Sequence, residues 1–155
     1  MNEPTHNDKR FSILVVDDEP ANIDILLGIL KPFYNVKVAP SGHVALKVVQ
    51  QFTPDLILLD IMMPVMDGIQ ACHEMRKESS LDNAYIIFLT ARIEEYSEIA
   101  GFSAGADDYI SKPIKPGALL SRFKSILKRQ EKEKDQDELA FDNLVIDRKS
   151  FEVTY

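Results

Sequence analysis

The chain has 155 residues, enough for one full domain and a remainder but short of two complete domains. Hydrophobic residues make up 45% and charged residues 28%, so a core can form without disulfides, and the single cysteine, Cys72, excludes an internal disulfide framework and fits a reducing compartment. Acids outnumber bases 25 to 18, and the formal charge of −7 repels nucleic acid in bulk, leaving any DNA contact to a local basic patch.

In chain order, residues 1–10 are polar, lack the apolar region of a signal peptide and read as a disordered end. Ile13-Leu14-Val15-Val16 is a short, continuous β-branched and aliphatic run, the pattern of a strand buried on both faces of a parallel sheet. It closes on Asp17-Asp18. Between Pro20 and Lys31, the residues Ile23, Ile25, Leu26, Leu27, Ile29 and Leu30 recur on a broad helical face. Val36 and Val38 alternate in a short strand, and Ser41 is placed to cap a second helix lined by Val44, Ala45, Val48, Val49 and Phe52. Leu56-Ile57-Leu58-Leu59 is the next buried run, closing on Asp60.

Asp67-Gly68 caps a third helix with Ile69, Cys72 and Met75 inward, which makes Cys72 a small buried hydrophobe. Ile86-Ile87-Phe88-Leu89 closes on Thr90. A fourth helix, at about 94–103, has only Ile99 and Phe102 as large anchors before Gly105 breaks it. Tyr109-Ile110 leads to Lys112-Pro113, and a fifth helix carries Leu119, Leu120, Phe123, Ile126 and Leu127. The alternation is (βα)5, an α/β doubly wound parallel sheet. No apolar stretch nears the roughly 20 residues that span a bilayer, so no membrane partner is expected and the cytoplasm is the default location.

Ligands of such sheets bind beyond the carboxyl ends of the strands. Asp17, Asp18, Asp60, Thr90 and Lys112 therefore gather at one rim: three acids, a hydroxyl and an amine. Two unit charges about 5 Å apart at an effective dielectric of about 20 repel by roughly 3 kcal/mol, so the acids call for a cation. Carboxylates with a backbone carbonyl suit a hard octahedral ion, Mg²⁺, whereas His6, His43 and His73 are too scattered for zinc. With Mg²⁺, Lys112 and Thr90 in place, the group suits phosphoryl transfer to a carboxylate nucleophile. Asp60, alone at a central strand end, is the candidate. Singly, any of these aspartates could be a helix cap; the ordered set carries the functional reading.

These residues resemble the receiver domain of a two-component response regulator, a CheY-like fold. Val15-Val16-Asp17-Asp18-Glu19-Pro20 resembles its acidic motif and Leu58-Leu59-Asp60-Ile61-Met62-Met63-Pro64-Val65-Met66-Asp67-Gly68 its phosphoacceptor segment. Thr90-Ala91 and Gly105-Ala106-Asp107-Asp108-Tyr109-Ile110-Ser111-Lys112-Pro113 complete the match, which covers about 11–128. The resemblance implies that Asp60 accepts a phosphoryl group from a phosphohistidine on a sensor histidine kinase. It implies Mg²⁺ on Asp18, Asp60 and the Met62 carbonyl, with Asp17 acting through water. It makes Lys112 the partner of Asp60 and then of the phosphoryl group, Thr90 and Tyr109 the switch, Ala91 the small residue that leaves access, and Lys112-Pro113 a cis bond. Such a domain is a phosphoacceptor and no enzyme beyond its own phosphotransfer and dephosphorylation.

On this reading the receiver spans 11–129 and a charged linker or helix extension 130–138. Residues 139–155, with Leu144-Val145-Ile146 and Phe151-Glu152-Val153, resemble the opening strands of the winged-helix effector of OmpR/PhoB-type regulators, cut short. That subfamily implies a homodimer on phosphorylation, for which Asp107, Asp108 and Arg122 match face positions; Ala118 departs from the usual acid. DNA would be read only by the missing part of the effector. Two other readings stay open: a receiver controlling a cyclic-dinucleotide enzyme or kinase, and a metal-dependent aspartyl phosphatase, which lacks a second acid because position 62 is methionine.

Overall fold

The computed structural model describes residues 10–91 and 104–131. Its elements run β1 (Ser12–Val16), α1 (Pro20–Leu30), β2 (Asn35–Ala39), α2 (Gly42–Val48), β3 (Leu56–Asp60), α3 (Gly68–Met75), a single 3-10 turn (Ser79–Leu81), β4 (Tyr85–Thr90) and β5 (Asp108–Ser111). A further helix covers 116–131. The expected fourth helix, the N-terminal ten residues save Arg10 and the expected strands past 139 lie outside the described residues.

The chain divides into two compact units, Met1–Pro116 and Gly117–Tyr155. In the first, five strands form one sheet in the order β2-β1-β3-β4-β5, every pair parallel. This is the expected doubly wound architecture, with the order reversing between β1 and β3. The three inner strands are buried along their lengths, as their unbroken aliphatic runs predict. Leu14, Val16, Ile57, Leu59, Ile86 and Phe88 join Ala45, Ala71, Cys72 and Met75 in one core cluster. The outer strands β2 and β5 are far more open.

Local chemistry sets the helix ends. Ser41 Oγ accepts from the Val44 amide at 3.1 Å to start α2. Asp67 and Gln70 form a reciprocal capping box at the start of α3, with bonds of 2.8 and 3.1 Å. Pro20 occupies the first turn of α1, where no amide is needed. The apolar face of α1 is narrower than its sequence predicts. Leu26 and Leu30, one turn apart, are buried, while Ile25 is 55% exposed. The reason is the helical step of about 100° per residue, which turns Ile25 away from the stripe set by Leu26.

In the second unit the helix buries Leu119, Phe123, Ile126 and Leu127, a single face by spacing. It continues through residue 131, past the start of the charge run at Arg129.

Candidate functional site

Register brings the acids together. Val16 of β1 pairs with Leu59 of β3, so the next residues, Asp17 and Asp60, leave the sheet side by side. Asp18 follows, and one carboxylate oxygen from each of Asp17, Asp18 and Asp60 lies within 4.8 Å of the others. Asp60 in turn pairs with Leu89 of β4, and Thr90 pairs with Ser111 of β5, which brings Lys112 to the same rim. The Lys112 amide donates to the Thr90 carbonyl at 2.8 Å, and its Nζ donates to Asp60 Oδ1 at 3.2 Å. The Lys112-Pro113 peptide is cis.

The site is largely buried as well as acidic. Asp17, Asp60 and Thr90 are buried, Lys112 is half-buried, and Ala91 and Met62 are exposed at the mouth. Burial first, and then the charge of Asp17, push the Asp60 carboxyl up from 3.8 to about 6, against the lowering effect of Lys112. Asp17 Oδ1 accepts from the Glu19 amide at 3.0 Å, whereas its buried Oδ2 has no hydrogen-bond partner among the described residues. A buried carboxylate oxygen without a donor is costly in an apo protein and is satisfied by a cation. The donor set is all oxygen and fits a hard divalent ion.

The loop from β3 to α3 wraps this rim by tight bonding. The Met63 amide reaches the Ile61 carbonyl, and the Met66 amide reaches the Pro64 carbonyl at 2.8 Å, a γ-turn centred on Val65. Val65 takes φ 70° there and is 90% exposed. Gly68 has to be glycine, since a Cβ would drive into the Asp60 carbonyl and stand 2.8 Å from Ile61 Cα. Tyr109 is partly buried against the core cluster.

These features decide the family: the response regulator receiver domain matches residues 13–124. The chain belongs to it. The chain is 37% identical over 142 residues to the transcriptional regulatory protein AfsQ1 of Streptomyces coelicolor, covering 92% of this chain and 61% of that one. It is 41% identical over 120 residues to the alkaline phosphatase synthesis transcriptional regulatory protein PhoP of Bacillus subtilis, covering 77% and 49%. The chain thus spans about half to three-fifths of the length of these relatives. A CheY-like receiver domain structure from Methanospirillum hungatei JF-1 superposes with TM-score 0.74 at 32% identity, covering 81% of this chain and 99% of that one. A BeF3-activated DrrB receiver domain superposes with TM-score 0.69 at 30% identity, covering 77% and 99%.

Of the expected site residues, Asp17, Asp18, Asp60 and Lys112 converge directly, with Thr90 beside them in the ladder. Of the three expected dimer-face residues, Arg122 is exposed, while Asp107 is engaged within the receiver by an ion pair with Arg76 at 2.8 Å. Sequence reasoning passed over Arg76, whose other partners are backbone carbonyls, and over the role of Gly68. The Asp67-Gly68 pair held the only available signal for the latter. Among the described residues no helix is long and apolar enough to cross a membrane.

Proposed function

We propose that the receiver accepts a phosphoryl group on Asp60 from a phosphohistidine of a sensor histidine kinase, with Mg²⁺ bound, and passes the change to a C-terminal output. The observation that carries this reading is the buried Asp60 carboxylate held between two acids and Lys112. An Asp60 oxygen attacks phosphorus, the P–N bond to the imidazole breaks, and the imidazole leaves with that electron pair. The product is an acyl phosphate.

Asp17, Asp18 and Asp60, with the Met62 carbonyl, would hold the Mg²⁺. Bound there, the ion supplies charge neutralisation for the transferring oxygens. Lys112 offers its ammonium to the phosphoryl group as Asp60 loses charge to the new bond. Thr90 offers a hydroxyl from the neighbouring strand end, and Ala91 leaves the approach open. Tyr109 packs on the core one strand away and turns with Thr90 as the switch. The domain catalyses only its own phosphotransfer and dephosphorylation.

The names of AfsQ1 and PhoP support an output in transcription regulation, with DNA bound through an effector beyond this chain and the receiver pairing with a second copy once phosphorylated. A cytoplasmic location suits a kinase-fed regulator of this kind. Phosphoramidate with and without Mg²⁺, followed by intact mass, tests the reading. One added phosphoryl mass only in the presence of Mg²⁺ is expected; no uptake, or uptake indifferent to Mg²⁺, rejects it.

A further inference from the structure

Arg76, the C-cap residue of α3, spends its whole guanidinium on the end of the sheet opposite the acidic rim. Its Nε donates to the Gly105 carbonyl at 2.8 Å, and Nη1 donates to the carbonyls of Leu81 and Ala84 at 2.8 and 2.9 Å. Its Nη2 pairs with Asp107 Oδ2 at 2.8 Å. The side chain is only 20% exposed. The contact is close enough to dictate its neighbour: Gly105 takes φ 104°, and a Cβ there would meet Arg76 Cγ at 2.5 Å. Four acceptors held by one rigid planar fork is an arrangement that a lysine cannot reproduce.

Asp107 is the pivot. Its Oδ2 also accepts from the Ile86 amide at 2.9 Å, and its own amide donates to the Ile86 carbonyl at 2.8 Å. These two bonds lie one step ahead of the β4–β5 ladder, whose first pair is Ile87 with Asp108. The strand they start has four residues, none of them fully buried. A short edge strand of this kind specifies its own register weakly through burial. Slipping by one residue would carry Lys112 about 3.3 Å along the strand and reverse the side on which Tyr109 stands. The ammonium of Lys112 now lies 3.2 Å from Asp60, so such a slip would break the pair.

We propose that Arg76 is a positioning residue for the phosphoryl site: through Asp107 it sets the register of β5 and thereby the reach of Lys112 to Asp60. The proposal rests on the reading of Asp60 as phosphoacceptor. It separates metal binding from phosphoryl transfer, because Asp17, Asp18 and Asp60 hang from β1 and β3 and do not depend on β5.

The test compares wild type, Arg76→Lys and Asp107→Asn by Mg²⁺ titration, phosphorylation rate from phosphoramidate at saturating Mg²⁺, and amide hydrogen exchange. Both variants are expected to bind Mg²⁺ within about twofold of wild type yet to phosphorylate at least roughly tenfold more slowly, toward the roughly hundredfold cost of a misplaced catalytic group. Faster exchange at the Lys112 amide should accompany this, with Val15 and Leu58 unchanged. Arg76→Lys phosphorylating at the wild-type rate with a protected Lys112 amide overturns the proposal. So does an equal loss of Mg²⁺ binding and phosphorylation with exchange raised across β1 and β3, which marks a general loss of stability. Wild type that takes up no phosphoryl group rejects the reading of Asp60 instead, and the exchange pattern still reports whether Arg76 holds β5.

Discussion

Lys112 Nζ stands 3.2 Å from Asp60 Oδ1 although β4 lies between the strands that carry them. The pair exists because two parallel registers, Asp60 with Leu89 and Thr90 with Ser111, bring both residues to one rim. Burial first, and then the charge of Asp17, outweigh the lowering effect of Lys112, and the Asp60 carboxyl is pushed up to about 6.

That balance gives a pH dependence with a definite sign. Between pH 3.8 and about 6 the folded chain keeps a proton on Asp60 that the unfolded chain has released. The associated stability is complete below the lower value and is lost as pH rises through the upper one. Asp60→Asn should therefore stabilise the metal-free receiver at pH 7.5, by on the order of 1–3 kcal/mol, and flatten its stability profile across this window. Urea unfolding at several pH values in the presence of a chelator measures both.

Asp17 supplies the complementary prediction, since its buried Oδ2 lacks a donor among the described residues. Mg²⁺ should raise the thermal midpoint of the wild type, and its affinity should rise with pH up to about 6 and then level off as Asp60 ionises. Asp17→Asn and Asp18→Ala should each lose most of the Mg²⁺-induced shift. Differential scanning calorimetry with Mg²⁺ and with chelator is the check.

Lys112→Ala removes the one cation among the described residues whose charge and hydrogen bond lower the Asp60 carboxyl, which should then move higher still. Mg²⁺ uptake at pH 8 should survive, whereas the beryllofluoride adduct should bind at least tenfold more weakly and fail to promote dimerisation, a charge-assisted contact being lost. Sedimentation with and without the adduct reads the second effect.

Val65 holds φ 70°, a β-branched residue in the left-handed region, with a side chain that packs on almost nothing. Val65→Gly should relieve this and raise stability by up to about 1 kcal/mol without altering Mg²⁺ affinity. Equilibrium denaturation beside a metal titration settles it.

How much of this was legible in the sequence depended on what each residue touches. The inner strands were plain because Ile13–Val16, Leu56–Leu59 and Ile86–Leu89 are buried on both faces and so carry unbroken apolar runs. The convergence of Asp17, Asp60 and Lys112 was legible because parallel strands put their carboxyl ends together, though the register that pairs Val16 with Leu59 was not. Arg76 was invisible for a physical reason. Three of its four partners are backbone carbonyls, and no side-chain pattern records a carbonyl. The exposed side of α1 was over-read because aliphatic residues such as Ile25 are common on surfaces as well as in cores. The strain at Val65 could not be foreseen, since a β-branched side chain argues against the conformation it adopts.

The central claim is that Asp60 is the residue phosphorylated, and peptide-resolved mass spectrometry after treatment with phosphoramidate and Mg²⁺ tests it most directly. The account predicts a single acyl phosphate, confined to the peptide bearing Asp60 and absent from Asp60→Asn under the same conditions. Phosphoryl label on Asp17, on Asp18 or on any other residue of the wild type, or undiminished labelling of Asp60→Asn, would contradict it.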